Sequence, residues 1–231
     1  MSKSRLMIKG IVRALVQTGV FAALLFIAAG TWHWPRALQF LVAFGVVQMI
    51  VTAVLARLAP ASLEARVQTG STKNQPVADR IVTLLLGLFL LAWFVFMPID
   101  VFRLQVLPRP ALWVSVVGVA LLIAGYGVMV TAVWQNAFAT PIVGDQSERN
   151  QAVIDTGLYG RIRHPMYLGL LFFLAGLALW LQSYASVILL PVAFLPIIAR
   201  IVVEEKTLRK TLPGYVGYMS RVRYRLVPFI W

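Results

Sequence analysis

Apolar residues run almost unbroken through six stretches of the chain: Ile11 to Gly30, Ala37 to Leu55, Ile81 to Met97, Ala111 to Trp134, Met166 to Leu181 and Ala185 to Val203. Charged, polar or turn-forming residues separate each from the next. About 20 consecutive apolar residues cross the hydrocarbon of a bilayer as an α-helix, and a helix apolar all round keeps no face for water. The pattern predicts an all-α polytopic membrane bundle of about six transmembrane helices. Only Gln182, Ser183 and Tyr184 separate the last two stretches, which predicts a tight antiparallel C-terminal helical hairpin. Pro191 and Pro196 fall inside its second arm, where a kink is expected rather than an end, because neighbouring helices can satisfy the freed carbonyls.

Composition strengthens this reading. Of 231 residues, 60% are hydrophobic and 13% charged, and the mean hydropathy is +0.83. That length fits one integral membrane domain, with N-terminal transmembrane helices over 1–134 and a second half, 135–231, that carries the polar motifs. Lys3, Arg5 and Lys9 ahead of the first stretch resemble a signal peptide, but the stretch exceeds the usual h-region and lacks a clear small-x-small cleavage pattern. An uncleaved first span is expected. The chain has no cysteine, and His33 and His164 are its two histidines, so no protein-built metal site is expected. Any chemistry then borrows its reactive group from a cofactor or a substrate.

Charge orients the bundle. A cytoplasmic N-terminus puts every lysine and arginine on the cytoplasmic side except Arg36, Arg103 and Arg109, as the positive-inside rule requires. Both termini are then cytoplasmic. The net charge of +13 follows from this topology and from contact with anionic membrane lipids. A nucleic-acid partner is not expected, since no basic domain with base-stacking aromatics is visible.

This topology gathers ionisable residues. The open ends of the predicted hairpin bring Arg161, Arg163, His164, Tyr167, Arg200, Glu204 and Glu205 to one interface, where clustered charges point to function. Blander roles exist for each. Arg161 and Arg163 can snorkel to lipid phosphates, His164 can precede a helix that Pro165 starts, and the glutamates can pair with Arg200, Lys206 and Arg209. Yet adjacent glutamates at a helix C-terminus are opposed by the macrodipole and by each other, so a positive group is expected beside them.

At these residues a resemblance becomes specific. The segment "GLYGRIRHPMYLG", followed one hairpin later by "RIVVEEKTLRKTLPGYVGYMSRVRYRLVP", resembles the catalytic half of the isoprenylcysteine carboxyl methyltransferase and phospholipid methyltransferase superfamily of membrane enzymes. The resemblance is strong over Asn136 to Trp231, where Asn136, Phe138 and "ERNQAVIDTGLYG" also match the approach to the motif. It is weaker over the first half, where "APASLEARVQTGSTKNQPVADR" is similar to the bacterial branch. Two positions depart from the pattern: Leu158 stands where proline is usual, and Gln151 where histidine is common.

The resemblance implies an S-adenosylmethionine-dependent methyltransferase with a cytoplasmic cofactor site, in the inner or plasma membrane of a prokaryote. It implies a cofactor site drawn from Gln151, Gly157, Tyr159, Arg161, Arg163, His164, Pro165, Tyr167, Glu204 and Glu205. Catalysis would involve Arg200, Glu204 and Glu205, with Arg200 holding an acceptor carboxylate. The acceptor would be lipophilic, prenylated or lipid-like, and carboxyl O-methylation of an isoprenylcysteine-like substrate is the expected reaction. Phospholipid amine N-methylation and a sterol-reductase-like, NADPH-dependent activity are the alternatives, with a transporter or scaffold as a further class. The chemistry of the residues agrees with a methyltransferase. The cofactor's cationic sulfonium and amino groups suit paired glutamates, its carboxylate suits His164 or the arginines, and tyrosines can meet the rest. Methyl transfer is an in-line displacement governed by alignment. A carboxylate acceptor needs no general base, whereas an amine does, from Glu204, Glu205 or His164.

Overall fold

The computed structural model describes residues 2–67, 75–139 and 151–231. Lys73, Arg149 and most of the polar stretch leading into "VIDTGLYG" lie outside these. The described chain is all-helical: α1 (Lys3–Ala29), α2 (Pro35–Leu58), α3 (Pro60–Val67), α4 (Val77–Ile99), α5 (Leu112–Gln135), α6 (Pro165–Trp180), α7 (Tyr184–Ile188), α8 (Leu190–Thr211) and α9 (Tyr215–Arg221). Five segments are long and apolar enough to cross a membrane: α1, α2, α4 with its following turn, α5, and α7 with α8. The remaining predicted span, Met166 to Leu181, is α6, an apolar helix of 16 residues and shorter than the others.

Local chemistry sets the helix ends. Ser2 caps α1 by accepting the Arg5 N–H, and α1 stops at Gly30, whose φ of 69° is left-handed, a conformation without penalty for glycine. Pro35 and Pro165 open α2 and α6, where the missing N–H costs nothing. Pro191 also starts a helix: α7 ends at Ile188 and α8 begins beside it, so the expected kink is a break there, while Pro196 lies inside α8. After Pro98, α4 widens into a π-helical turn, Asp100–Leu104. The Asp100 carboxylate accepts from Ser183 Oγ at 2.5 Å and from Val106 N at 3.0 Å, which ties α4 to the turn between α6 and α7. Arg36 and Arg103 belong to this same end. Arg36 donates to Ser115 Oγ and the Trp180 carbonyl and lies over the Trp180 ring.

The two arms of the hairpin are neighbours, but α6 packs most intimately against α5. Glycines permit this. Gly118 and Gly125 on α5 face Gly169 and Gly176 on α6, and a Cβ at Gly169 would meet the Gly125 carbonyl oxygen at 2.7 Å. Helices in a membrane associate by such close backbone approach, because lipid gives apolar side chains no reason to leave it. The bundle is centred on Leu25, Phe44, Trp93, Met97, Leu174 and Leu177, while Val12, Val16, Val42, Leu84, Leu88 and Val116 remain on the outside, as expected for faces that meet lipid.

Candidate active site

One end of the bundle carries a polar cleft enclosing about 830 Å³, counting its open part. The segment after α5, the 3₁₀ turn Gly157–Gly160, the start of α6, the end of α8 and α9 surround it. Of the residues expected at a cofactor site, Gln151, Tyr159, Arg163, His164, Pro165, Tyr167 and Glu204 line this cleft.

The others stand elsewhere. Gly157 supports the turn: its φ is 59°, a Cβ there would run into the Gln135 amide, and Gln135 Oε1 accepts the Leu158 N–H at 2.9 Å. Leu158, in place of the expected proline, thus supplies an N–H that anchors the turn to α5. Arg161 is exposed and outside the cleft lining.

Glu205 is 2% exposed and lies behind the cleft wall. Its Oε1 accepts from Arg163 Nε at 2.7 Å and lies 3.2 Å from His164 Nε2. Its Oε2 accepts from Arg225 Nε at 3.0 Å and lies 3.9 Å from Arg209 Nη2. The positive groups expected beside the glutamates are therefore the protein's own. Arg163 also donates through Nη1 to the Val222 and Arg223 carbonyls, and the N–H groups of Arg163 and His164 donate to the Tyr224 and Arg225 carbonyls. In this way the C-terminal tail is laced along the "RHP" segment.

Glu204 has different surroundings. It lines the cleft and accepts from Tyr167 Oη at 3.1 Å, and that hydroxyl in turn accepts from Arg200 Nε at 2.6 Å. Arg200 is 4% exposed. Its Nη1 lies 3.3 Å from Asp79 Oδ1 and also donates to Thr83 Oγ1, both residues on α4. Gln75 Nε2 donates to the other Asp79 oxygen at 2.6 Å. Arg200, expected to hold an acceptor, stands behind Tyr167 with its guanidinium engaged by α4.

The list drawn from sequence omitted several lining residues. Tyr215 and Tyr218 project from α9, and Tyr218 Oη donates to the Tyr159 carbonyl at 2.8 Å. Burial pushes the Tyr159, Tyr215 and Tyr218 phenols up, with Glu204 adding to the shift of Tyr159 and Glu205 to those of the other two. All three stay neutral donors at ordinary pH. Asn136 and Phe138 also line the cleft. The tyrosine spacing in the tail and the Asn136–Phe138 element were visible in the motif, but sequence gave neither a cleft role.

The protein is thus a helical membrane bundle with a polar cleft at one end, in which one carboxylate, four phenols and the Arg163–His164 wall come together. Residues 113–213, from α5 through α8, match the family model described as phospholipid methyltransferase. The match is consistent with the isoprenylcysteine carboxyl methyltransferase and phospholipid methyltransferase superfamily that the motif resembles. No curated protein and no solved structure matches the chain.

Proposed function

We propose that the protein transfers a methyl group from S-adenosylmethionine to the head group of a lipophilic acceptor at the cytoplasmic face of the membrane. The single observation that carries this reading is the cleft-facing Glu204, held by Tyr167 among the phenols of Tyr159, Tyr215 and Tyr218.

The residues fit the cofactor. Glu204 offers a carboxylate to a cationic amino group, the aromatic faces suit a sulfonium, and Arg163 and His164 line the same cleft with N–H groups that suit a carboxylate. When bound, S-adenosylmethionine supplies an electrophilic methyl group. The chain's residues then align and desolvate: Tyr167 is fixed between Arg200 and Glu204, and Glu205 fixes Arg163 and His164 from behind. This arrangement favours in-line displacement through positioning. In this reading Arg200 is a positioning residue for Tyr167, and Glu205 for the "RHP" wall. Carboxyl O-methylation is the favoured reaction, since a carboxylate acceptor needs no proton removed.

The test is calorimetric titration of the purified protein with S-adenosylhomocysteine, alongside NADPH. Saturable binding of the former alone is expected. Binding of NADPH without S-adenosylhomocysteine would replace this reading with a reductase.

A further inference from the structure

A second hollow lies within the bundle, between α1, α2, α4, α5 and α6, and encloses about 1720 Å³ including the part open to its surroundings. α3 covers its cleft end. Its deep end is floored by Phe21, Phe44, Phe94, Tyr126 and Phe173, whose rings contact one another at centroid distances of 4.7 to 6.3 Å. From Arg13 to Phe21 along α1, the helical rise gives a depth of about 12 Å. Most of this hollow is built by α1 to α4, outside the family-matched residues.

The cleft end has a different character. Arg66, on α3, donates through Nη2 to the Ala139 carbonyl at 2.7 Å and lies 3.6 Å from Met166 Sδ. Ala139 lines the cleft and Met166 lines both spaces, so this wall is common to the two. Arg13 donates to the Arg66 carbonyl, which sets two guanidinium groups on one rim. Among the described residues no carboxylate is paired with either. Burial pushes Arg66 down to about 10, which leaves it charged at neutral pH. Two cations with no paired carboxylate among the described residues, above a mostly apolar hollow whose wall also carries Gln17, Gln48 and Thr52, complement an anion that carries one hydrocarbon chain. A cationic amine head would be repelled.

We infer that this hollow binds the tail of a single-chain amphiphilic acid, with the carboxylate held at the rim by Arg66 and Arg13. The head then lies against the wall shared with the cleft. That the acid is also the methyl acceptor rests on the proposed transferase reading; the binding site itself does not. Because contacting aromatic rings cross the deep end, affinity rises with chain length and then levels off when the tail reaches them.

The experiment uses the full chain in lipid nanodiscs with a photoreactive fatty-acid series of increasing length, and the crosslinks are mapped by mass spectrometry. Labelling is expected on α1, α2 and α5 around the hollow, displaced by the free acid and not by its methyl ester or by phosphatidylethanolamine. Arg66→Gln should weaken the acid by about tenfold, the loss of a charge-assisted hydrogen bond, and Arg66→Lys should restore part of it. Phe44→Ala, or the milder Phe44→Leu, should move the levelling-off point to longer chains. No labelling in the hollow, equal competition by ester or phosphatidylethanolamine, or a length profile unmoved by both Phe44 variants overturns the inference. S-adenosylhomocysteine titration on the same samples separates the two claims. Cofactor binding without acid labelling sinks the inference alone, while acid labelling without cofactor binding sustains it and sinks the transferase reading.

Discussion

Glu204 and Glu205 are chemically identical neighbours with opposite surroundings. Successive side chains on an α-helix point about 100° apart, so one glutamate can line the cleft while the next enters the packed interior. Sequence placed both at the site and left open which one meets the cofactor, because the divergence depends on which helices flank α8. Glu205 is surrounded by Arg163, His164, Arg209 and Arg225. Removing its charge leaves the buried Arg163 guanidinium uncompensated, which costs about 3 to 5 kcal/mol. Glu205→Gln is therefore expected to lower the thermal unfolding temperature sharply in a detergent thermal-shift assay. Glu204→Gln is expected to leave that temperature nearly unchanged and to weaken S-adenosylhomocysteine by about 1 to 3 kcal/mol, the worth of a hydrogen bond to a charged group. Equal effects of the two substitutions on both measurements would remove the distinction between a cleft carboxylate and a supporting one.

At the scale of elements, the spans were legible because a bilayer demands long apolar helices, and hydropathy reads that demand directly. α1, α2, α4 and α5 each fall within several residues of the predicted bounds. Helix partnership was less legible. Adjacency in the chain suggested α6 and α8 as the close pair, whereas α6 lies closest to α5. The signal was present in Gly118 and Gly125 opposite Gly169 and Gly176, seven residues apart on each helix, and a heptad of small residues marks a seam for a partner backbone. Since a Cβ at Gly125 or Gly176 would run into the opposing backbone, Gly125→Leu should separate α5 from α6 and displace Gln135 and the turn it anchors. Loss of S-adenosylhomocysteine binding with a lowered unfolding temperature is the expected outcome. Unchanged binding would show that the cleft tolerates movement of this seam. Gly127, with open space around its Cβ position, supplies the control: Gly127→Leu should be silent.

For the whole molecule, the chain divides its work between ends. The end bearing Asp100, Ser183, Arg36 and Trp180 is held by polar ties between helices, whereas the opposite end gathers the cleft, the arginine rim and the laced tail. What sequence could not give was the support behind the site. Asp79 on α4 meets Arg200 on α8 more than a hundred residues later, a contact that only the packed bundle creates. By the same token, the hollow floored by aromatic rings from five helices has no signature in any one stretch. Asp79→Asn should loosen Arg200 and with it Tyr167, lowering the rate of transfer more than cofactor affinity.

The central claim is that Glu204 serves a methyl-transfer site at the membrane interface. The most direct measurement is transfer of labelled methyl from S-adenosylmethionine to lipid-extractable acids by the purified protein in nanodiscs, comparing the unsubstituted chain with Glu204→Gln. The account predicts transfer that is blocked by S-adenosylhomocysteine and reduced at least about tenfold by the substitution, as expected for the loss of a charge-assisted contact. Transfer that is equal in the two proteins, or absent from the unsubstituted chain while it still binds the acid, would contradict it.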